Sequence, residues 1–364
     1  MDKVLYLLCL IFGHVVFVSS QSTCDPGLPP DFNPGATIDF KRPGLPNRKY
    51  YIYAPTGYSS TGPPTSKVIL TFHGWCDSGR SYTTSSKFQN LANKYNMIIV
   101  APTGLKTGFE CNSWQNYGSN TGVGLNGVDP TCDTSQNSPN YCYSSCAPCA
   151  NRCSWTHCLD DDIQFVRDLV VGGPGFENAL QDKICFDPSQ VYVSGTSNGG
   201  MFTWTLIQDP RTSGLFRAAA PIIGSPHCDY DFAGPDYVPV ISLMGNNDST
   251  VPSTNLPWPG HPSDECLVNR DGEGYFYISS NRIVSTWANS TCEVEEGEIP
   301  SRIVQLDNLI CATWCGGPAP YAVDCYFNGG HIEPEFAVET AYLFFQLHSS
   351  DSDDYRASKA NPFY

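Results

Sequence analysis

Val191-Tyr-Val-Ser-Gly-Thr-Ser-Asn-Gly-Gly200, followed by Met201-Phe-Thr-Trp204, is the stretch whose reading decides the fold. It reads as a short β-branched strand, a Gly-Thr-Ser-Asn-Gly turn and then a helix. That is the G-x-S-x-G nucleophile-elbow pattern, which thrusts a serine hydroxyl, here Ser197, out of a tight strand-to-helix turn. Gly195 and Gly199 lack Cβ atoms, so strand and helix can crowd the turn while Ser197 takes a strained backbone conformation. A plain Gly/Ser loop is the competing reading in a chain with 32 glycines. A strand before the turn and a helix after it separate the two.

Outward from this stretch, strands and helices alternate. Lys49–Tyr53, Val68–Phe72, Met97–Ala101, Val191–Ser194, Ala218–Ile223, Val238–Met244, Ile303–Leu306 and Ala322–Phe327 read as strands. Ser85–Tyr95, Asp160–Val170, Asn198–Gln208, Ser279–Ala288 and Glu333–His348 read as helices. Asp160, Asp161 and Asp162 open one helix, where negative charge suits the dipole and the cap. The alternation predicts an α/β fold, a mostly parallel sheet covered by helices on both faces. Ligands of such sheets bind beyond the carboxyl ends of the strands, so residues just after each strand carry the functional weight.

A serine hydroxyl needs a base within hydrogen-bond reach, and the base needs an orienting carboxylate. In the α/β-hydrolase arrangement the chain order is Ser, acid, His. Asp248, in the turn after Val238–Met244, fits the acid, with a plain turn aspartate as the alternative. His331, in Tyr326-Phe-Asn-Gly-Gly-His331, fits the base. His73, His157, His227, His261 and His348 lack this order and context. An oxyanion hole needs two backbone N–H groups. Asn198, next after the serine, supplies one. The loop after Val68–Phe72 supplies the other, from Trp75 in preference to Cys76. His73 then has a structural role.

Met1 to Ser20 has a charged start, an apolar run from Val4 to Val18 and small residues before Gln21, as in a secretory signal. The competing reading is an uncleaved anchor. Sixteen of the 17 cysteines lie beyond that segment, an even number that in a secreted chain predicts disulfides. A zinc cluster is the alternative for the cysteines crowded at 142–158. The net charge of −16, with no Lys/Arg cluster, makes nucleic acid and anionic membranes poor partners. Residues 21–48 read as an irregular arm, 49–348 as the catalytic domain and 349–364 as a polar tail. Residues 105–158, rich in Cys, Asn, Ser and Tyr, read as a disulfide-rich insertion that caps the cleft, against the alternative of a remote structural knot. Its Trp114, Tyr117, Tyr141, Tyr143 and Trp155 offer aromatic surface. Asn289-Ser-Thr is a glycosylation acceptor, whereas the acceptor at Asn247 is expected unmodified because a glycan would crowd Asp248.

The chain resembles the secreted esterase family that groups polyhydroxybutyrate depolymerases with feruloyl esterases. The residues carrying the resemblance are Phe72-His-Gly-Trp75, Ile98-Ile-Val-Ala-Pro-Thr-Gly104, Asp161-Asp-Ile-Gln-Phe165, Val191–Met201, Phe216-Arg-Ala-Ala-Ala-Pro221, Gly245–Pro252 and Gly329-Gly-His331. They spread over most of Lys49 to His348 and are specific taken jointly. The resemblance implies an α/β-hydrolase fold, no metal or organic cofactor, hydrolysis of a carboxylic ester, and the Ser197, Asp248, His331 roles. Its substrates would be plant cell-wall esters or polyesters. The insertion is longer than the family's usual counterpart, and Trp75-Cys76 stands where Gly-rich variants of the loop occur. A serine peptidase on the same fold and a catalytically inactive binding module remain the competing functions.

Overall fold

The computed structural model describes residues 33–60, 65–135, 142–149, 152–253, 266–269, 273–292, 300, 302–306, 308–315 and 320–350. The signal segment, Cys24, Tyr141, His261 and nearly all of the polar tail lie outside the described residues.

The described residues contain twelve strands: β1 Ile38–Phe40, β2 Arg48–Tyr53, β3 Lys67–Phe72, β4 Met97–Thr103, β5 Val191–Thr196, β6 Ala218–Ile222, β7 Val240–Gly245, β8 Cys266–Val268, β9 Phe276–Ile278, β10 Arg302–Leu306, β11 Leu309–Trp314 and β12 Ala322–Phe327. The helices are α1 Gly79–Thr84, α2 Ser86–Tyr95, α3 Asp162–Val171, α4 Asn198–Gln208, α5 Ser280–Cys292 and α6 Glu335–Leu347. Ten strands form one sheet in the order β1-β2-β4-β3-β5-β6-β7-β12-β11-β10. From β4 to β12 neighbours run parallel, while the outer strands on both edges pair antiparallel. β8 and β9 make a separate two-stranded ribbon.

The central strands are largely apolar because both faces of the sheet are covered. Their side chains alternate between two cores. Val68, Leu70 and Phe72 of β3 and Ile98 and Val100 of β4 join one core, with Phe165 of α3, Phe202 and Trp204 of α4 and Trp287 of α5. Ile69 of β3 and Met97, Ile99 and Ala101 of β4 point the other way, into a core with Phe88 and Leu91 of α2 and Phe344 and Phe345 of α6. The period of two along each strand divides the apolar residues between the layers. In α2 the buried residues Phe88, Leu91, Ala92 and Tyr95 recur at helical spacing, and Asn96 ends the helix with φ of 51°.

The arm expected to be irregular over 21–48 contains a strand. β1 pairs with β2 through three residues, Ile38 opposite Tyr50 and Phe40 opposite Arg48, with Ile38 and Phe40 buried. The arm also contributes Arg42, which together with Arg48 of β2 meets Asp160, Asp162 and Asp168 in a buried ionic cluster. The aspartates at the start of α3 therefore divide their work. Asp161 caps the helix, accepting from Gln164 N–H at 2.9 Å, while Asp160 and Asp162 face arginines. Burial alone would raise the Asp162 pKa, but the facing His157 and Arg48 outweigh burial and hold it well below the usual carboxylate range.

Seven disulfides join described cysteines: Cys76–Cys111, Cys132–Cys153, Cys142–Cys149, Cys146–Cys158, Cys228–Cys266, Cys292–Cys315 and Cys311–Cys325. Four of them hold residues 105–158: the crowded cysteines bond to one another and to Cys132, and Cys111 bonds to Cys76.

Asp324 on β12 is fully buried and accepts hydrogen bonds from the hydroxyls of Ser280 at 2.6 Å and Tyr326 at 2.7 Å. Burial, opposed by those two hydrogen bonds, pushes its pKa up to about 7. The folded protein then keeps a proton that the unfolded chain releases above the ordinary value of 3.8. Asp324 thus contributes stability that is fully present below pH 4 and declines as pH rises towards about 7. Asp324→Asn cannot ionise. Its stability relative to wild type is expected to climb by a few kcal/mol across that window. Paired urea melts at several pH values read this difference, and a constant offset between the two proteins would count against it.

Candidate active site

Strand register brings the loops together. Phe72 at the end of β3 lies level with Gly195 near the end of β5, and Gly245 closing β7 pairs with Phe327 closing β12. His73-Gly74-Trp75, Ser197, Asn246–Asp248 and Asn328–His331 therefore leave the same edge of the sheet, at its carboxyl ends.

Ser197 has φ of 56° and ψ of −119°, a left-handed conformation that L-residues avoid. The flanking glycines make it attainable. A Cβ on Gly195 would lie 2.2 Å from the Gly199 carbonyl oxygen, and one on Gly199 would lie 2.0 Å from that of Phe72. Neither position has room for a side chain, and the obstacle in each case is backbone. The strain aims the Ser197 hydroxyl away from the sheet, at the rim.

The hydroxyl oxygen of Ser197 is 2.8 Å from His331 Nε2, and His331 Nδ1 is 2.8 Å from Asp248 Oδ2. An ionised carboxylate only accepts, so Nδ1 carries the proton and Nε2 is left to accept from the serine hydroxyl. Asp248 is fixed by its own turn, its Oδ1 accepting from the N–H groups of Thr250 and Val251 at 2.9 Å each. The acid and histidine loops are zipped together. Asn246 N–H donates to the Phe327 carbonyl and Asn247 N–H to that of Gly329, both at 2.9 Å. The Asn247 side-chain amide donates to Asn246 Oδ1 and Asn328 Oδ1. Asp248 is buried, while the His331 side chain keeps 24% of its exposure, so the ring is reachable from solvent.

The two N–H groups expected to form an oxyanion hole flank Ser197. Asn198 is the first residue of α4, so its N–H has no partner within the helix. The loop carrying Trp75 touches the elbow, since a Cβ added to Gly74 would sit 3.6 Å from the Ser197 Cβ. Cys76 N–H, the second candidate donor, donates to the Asn112 carbonyl at 3.0 Å. His73 is completely buried. Its Nδ1 donates to the Gly74 carbonyl at 2.7 Å, and its Nε2 accepts from Gly104 N–H at 2.9 Å. Burial pushes its pKa down to about 4, so the neutral ring works as a brace between two strand-end loops.

A cavity of about 480 Å³, counting its open mouth, contains Ser197. Its walls include Trp75, Trp155, Met201, Val251, Tyr275 and Tyr277. Of the insertion's aromatic residues, Trp155 lines this cavity. Trp114 is instead buried in the core between Phe72 and Phe202, and Tyr117 stacks on Tyr230.

Sequence reasoning missed Glu333. Its carboxylate accepts from the Thr196 hydroxyl, immediately before Ser197, and meets Lys87 Nζ at 2.6 Å. Burial raises its pKa, with Lys87 opposing. Glu333 thereby ties the histidine loop to the nucleophile elbow. The one sequence signal was an acidic residue two positions after His331.

The sheet order, the antiparallel edges and the strand–turn–helix at its centre define the α/β-hydrolase fold. No protein-family model matches the chain, and a comparison with curated sequences finds no match. Solved structures similar to it include the acetyl xylan esterase from Aspergillus awamori, 14% identical, covering 82% of this chain and 94% of that one, TM-score 0.44. Native sOPH is similar at 13% identity, covering 89% of each chain, TM-score 0.45. Esterase PE8 is similar at 13% identity, covering 82% of this chain and 97% of its own, TM-score 0.43.

Proposed function

We propose that the protein is a secreted serine carboxylic ester hydrolase. The observation carrying this reading is the unbroken relay from Ser197 Oγ through the His331 ring to the buried Asp248, at 2.8 Å per step. In the proposed reaction Ser197 attacks the ester carbonyl as His331 Nε2 takes its proton. Asp248 holds the imidazole in the required tautomer and stabilises its charged form. The N–H groups of Asn198 and Trp75 receive the negative charge that develops on the carbonyl oxygen. The His331 proton passes to the departing alcohol. Water then attacks the acyl-serine, giving a proton to His331, which passes it to Ser197 Oγ as the acid leaves. Every bond broken is matched by these transfers, and no further reactant enters.

The aromatic walls of the cavity suit a flat acyl group, and together with the sequence resemblance they favour an aromatic ester of the feruloyl kind. A hydroxyalkanoate polyester is the second reading. Secretion accords with the disulfides, which persist in oxidising compartments. Among the described residues no helix is long and apolar enough to cross a membrane.

A fluorophosphonate probe is expected to label the wild-type protein at Ser197, and feruloyl, acetyl and hydroxyalkanoate esters to release free acid while matched amides do not. A folded protein that neither labels nor turns over any ester would point to an inactive binding module. Amide cleavage as fast as ester cleavage would point to a peptidase.

A further inference from the structure

We propose that the disulfide-rich insertion is the scaffold of the oxyanion hole, with Tyr143, the Asn198 side chain and the Cys76–Cys111 disulfide as its positioning residues. The inference rests on the hydrolase reading above and assigns residues 111–115 and Tyr143 a part in the chemistry distinct from lining the cleft. Both proposed N–H donors sit on residues whose side chains are tied to the insertion.

The first tie acts on Trp75. Its indole is exposed at 38%, on a loop where such a side chain would otherwise sample several rotamers. Its Nε1–H donates to the Tyr143 hydroxyl at 2.7 Å, and that hydroxyl donates to the Cys111 carbonyl at 3.2 Å. The next residue, Cys76, has φ of 71°, a conformation that a non-glycine residue keeps only when its surroundings impose it. What imposes it is again the insertion, through the disulfide to Cys111 and the hydrogen bond from Cys76 N–H to the Asn112 carbonyl. Asn112 closes the arrangement by donating from its side chain to the Asp77 carbonyl at 2.8 Å.

The second tie acts on Asn198. Its side-chain oxygen accepts from Trp114 N–H at 2.7 Å, and its amide donates to the Trp114 carbonyl at 2.9 Å. One side chain thus pairs with a peptide of the insertion as a neighbouring strand would. The adjoining Gln115 N–H donates to Asp162 at 2.8 Å, which anchors this segment to the start of α3. The first turn of α4 and the loop after β3 are therefore gripped by one disulfide-braced piece of chain. Its stiffness fixes the separation between the two N–H groups.

Fixed donors matter most when charge develops, because loose ones must reorganise during the reaction. Tyr143→Phe and the Cys76→Ala/Cys111→Ala double variant are compared with wild type on p-nitrophenyl acetate. Thermal melts and circular dichroism establish that each is folded. The scaffold role predicts that kcat falls about tenfold in Tyr143→Phe and up to ~100-fold in the double variant, with KM changed less than about threefold. The rate of fluorophosphonate labelling is expected to fall with kcat, since that adduct also places an oxygen in the hole. A purely structural role would lower the melting temperature and leave kcat per folded molecule unchanged. If the double variant does not fold, Tyr143→Phe alone decides. Unchanged kcat in folded Tyr143→Phe, or a loss confined to KM, overturns the scaffold while the hydrolase reading stands. A wild-type protein inert to ester and probe overturns the hydrolase reading, and this one with it.

Discussion

Ser197→Ala is expected to lower kcat for ester hydrolysis on the order of a millionfold while the protein stays folded and KM changes little. The size follows from the division of labour at the sheet edge. In the proposed relay the serine is the group that forms the acyl bond. Without it, His331 and Asp248 have no proton to manage. What remains is the binding cavity and the two N–H groups, which still favour a water attack over the uncatalysed reaction. His331→Ala should cost about as much, and combining the two should cost little more, because the groups act as one unit. Asp248→Asn should cost less, about 10⁴-fold, because Asn presents an N–H or a poorly aimed oxygen where Nδ1 needs an acceptor. Its fixed turn through Thr250 and Val251 argues that the geometry survives the change. Steady-state kinetics on a chromogenic ester, with each variant's fold checked by thermal melting, read these numbers. Additive losses across the three residues would mean that they do not form a single relay. A Ser197→Ala protein retaining a few per cent of activity would remove the serine from the reaction altogether.

The second large effect lies far from the nucleophile. Arg48→Met is expected to destabilise the fold by about 3–5 kcal/mol at neutral pH. The Arg48 guanidinium is completely buried, 3.0 Å from Asp160, 2.6 Å from Asp162 and 3.9 Å above the centre of the Phe165 ring. Methionine fills much of the volume, so the cost is chiefly electrostatic, from carboxylates left in the interior without their cation. Arg42 still faces Asp160, but Asp162 keeps His157, 3.0 Å away, and the Gln115 N–H, and loses its guanidinium. The pH dependence follows from the direction of the Asp162 shift. Its folded-state pKa is depressed, so its stabilisation is present above the ordinary carboxylate value and lost as pH falls through the lower folded value. The difference between wild type and Arg48→Met should therefore be largest at neutral pH and shrink in acid. Urea unfolding at neutral and acidic pH measures it. A loss under about 1 kcal/mol, unaltered by pH, would mean that the cluster contributes little net stability.

The elbow was legible because its chemistry is local. A serine between two glycines, after a β-branched strand and before an apolar helix, has few other uses. The β3, β5, β7 and β12 segments were legible for a related reason: strands buried on both faces are apolar along most of their length. Elements stabilised by neighbours left no such mark. β1 is three residues in a Pro/Gly-rich arm, and only its pairing with β2 makes it a strand. α1, Gly79-Arg-Ser-Tyr-Thr-Thr84, is built from weak helix formers, and its buried Tyr82 and Thr83 hold it against the fold. β11 and the β8–β9 ribbon contain or adjoin disulfide cysteines that blur the alternation of apolar and polar residues. Trp114 read as cleft surface because it lies in a polar, cysteine-rich stretch, yet it fills the core between Phe72 and Phe202.

By itself the sequence determined the class of fold and the order of Ser197, Asp248 and His331 along the chain, and it predicted disulfides among the sixteen cysteines beyond the signal-like segment. These follow from spacing and side-chain chemistry, which need no knowledge of distant partners. Tertiary structure alone decided which cysteines join, that Asp160 and Asp162 answer to Arg42 and Arg48, that Glu333 binds Thr196, and that the insertion grips Trp75 and Asn198. Most of those are meetings of residues tens to hundreds of positions apart. Their geometry is set by the register of a ten-stranded sheet, and no local pattern of residues encodes where two remote loops will touch.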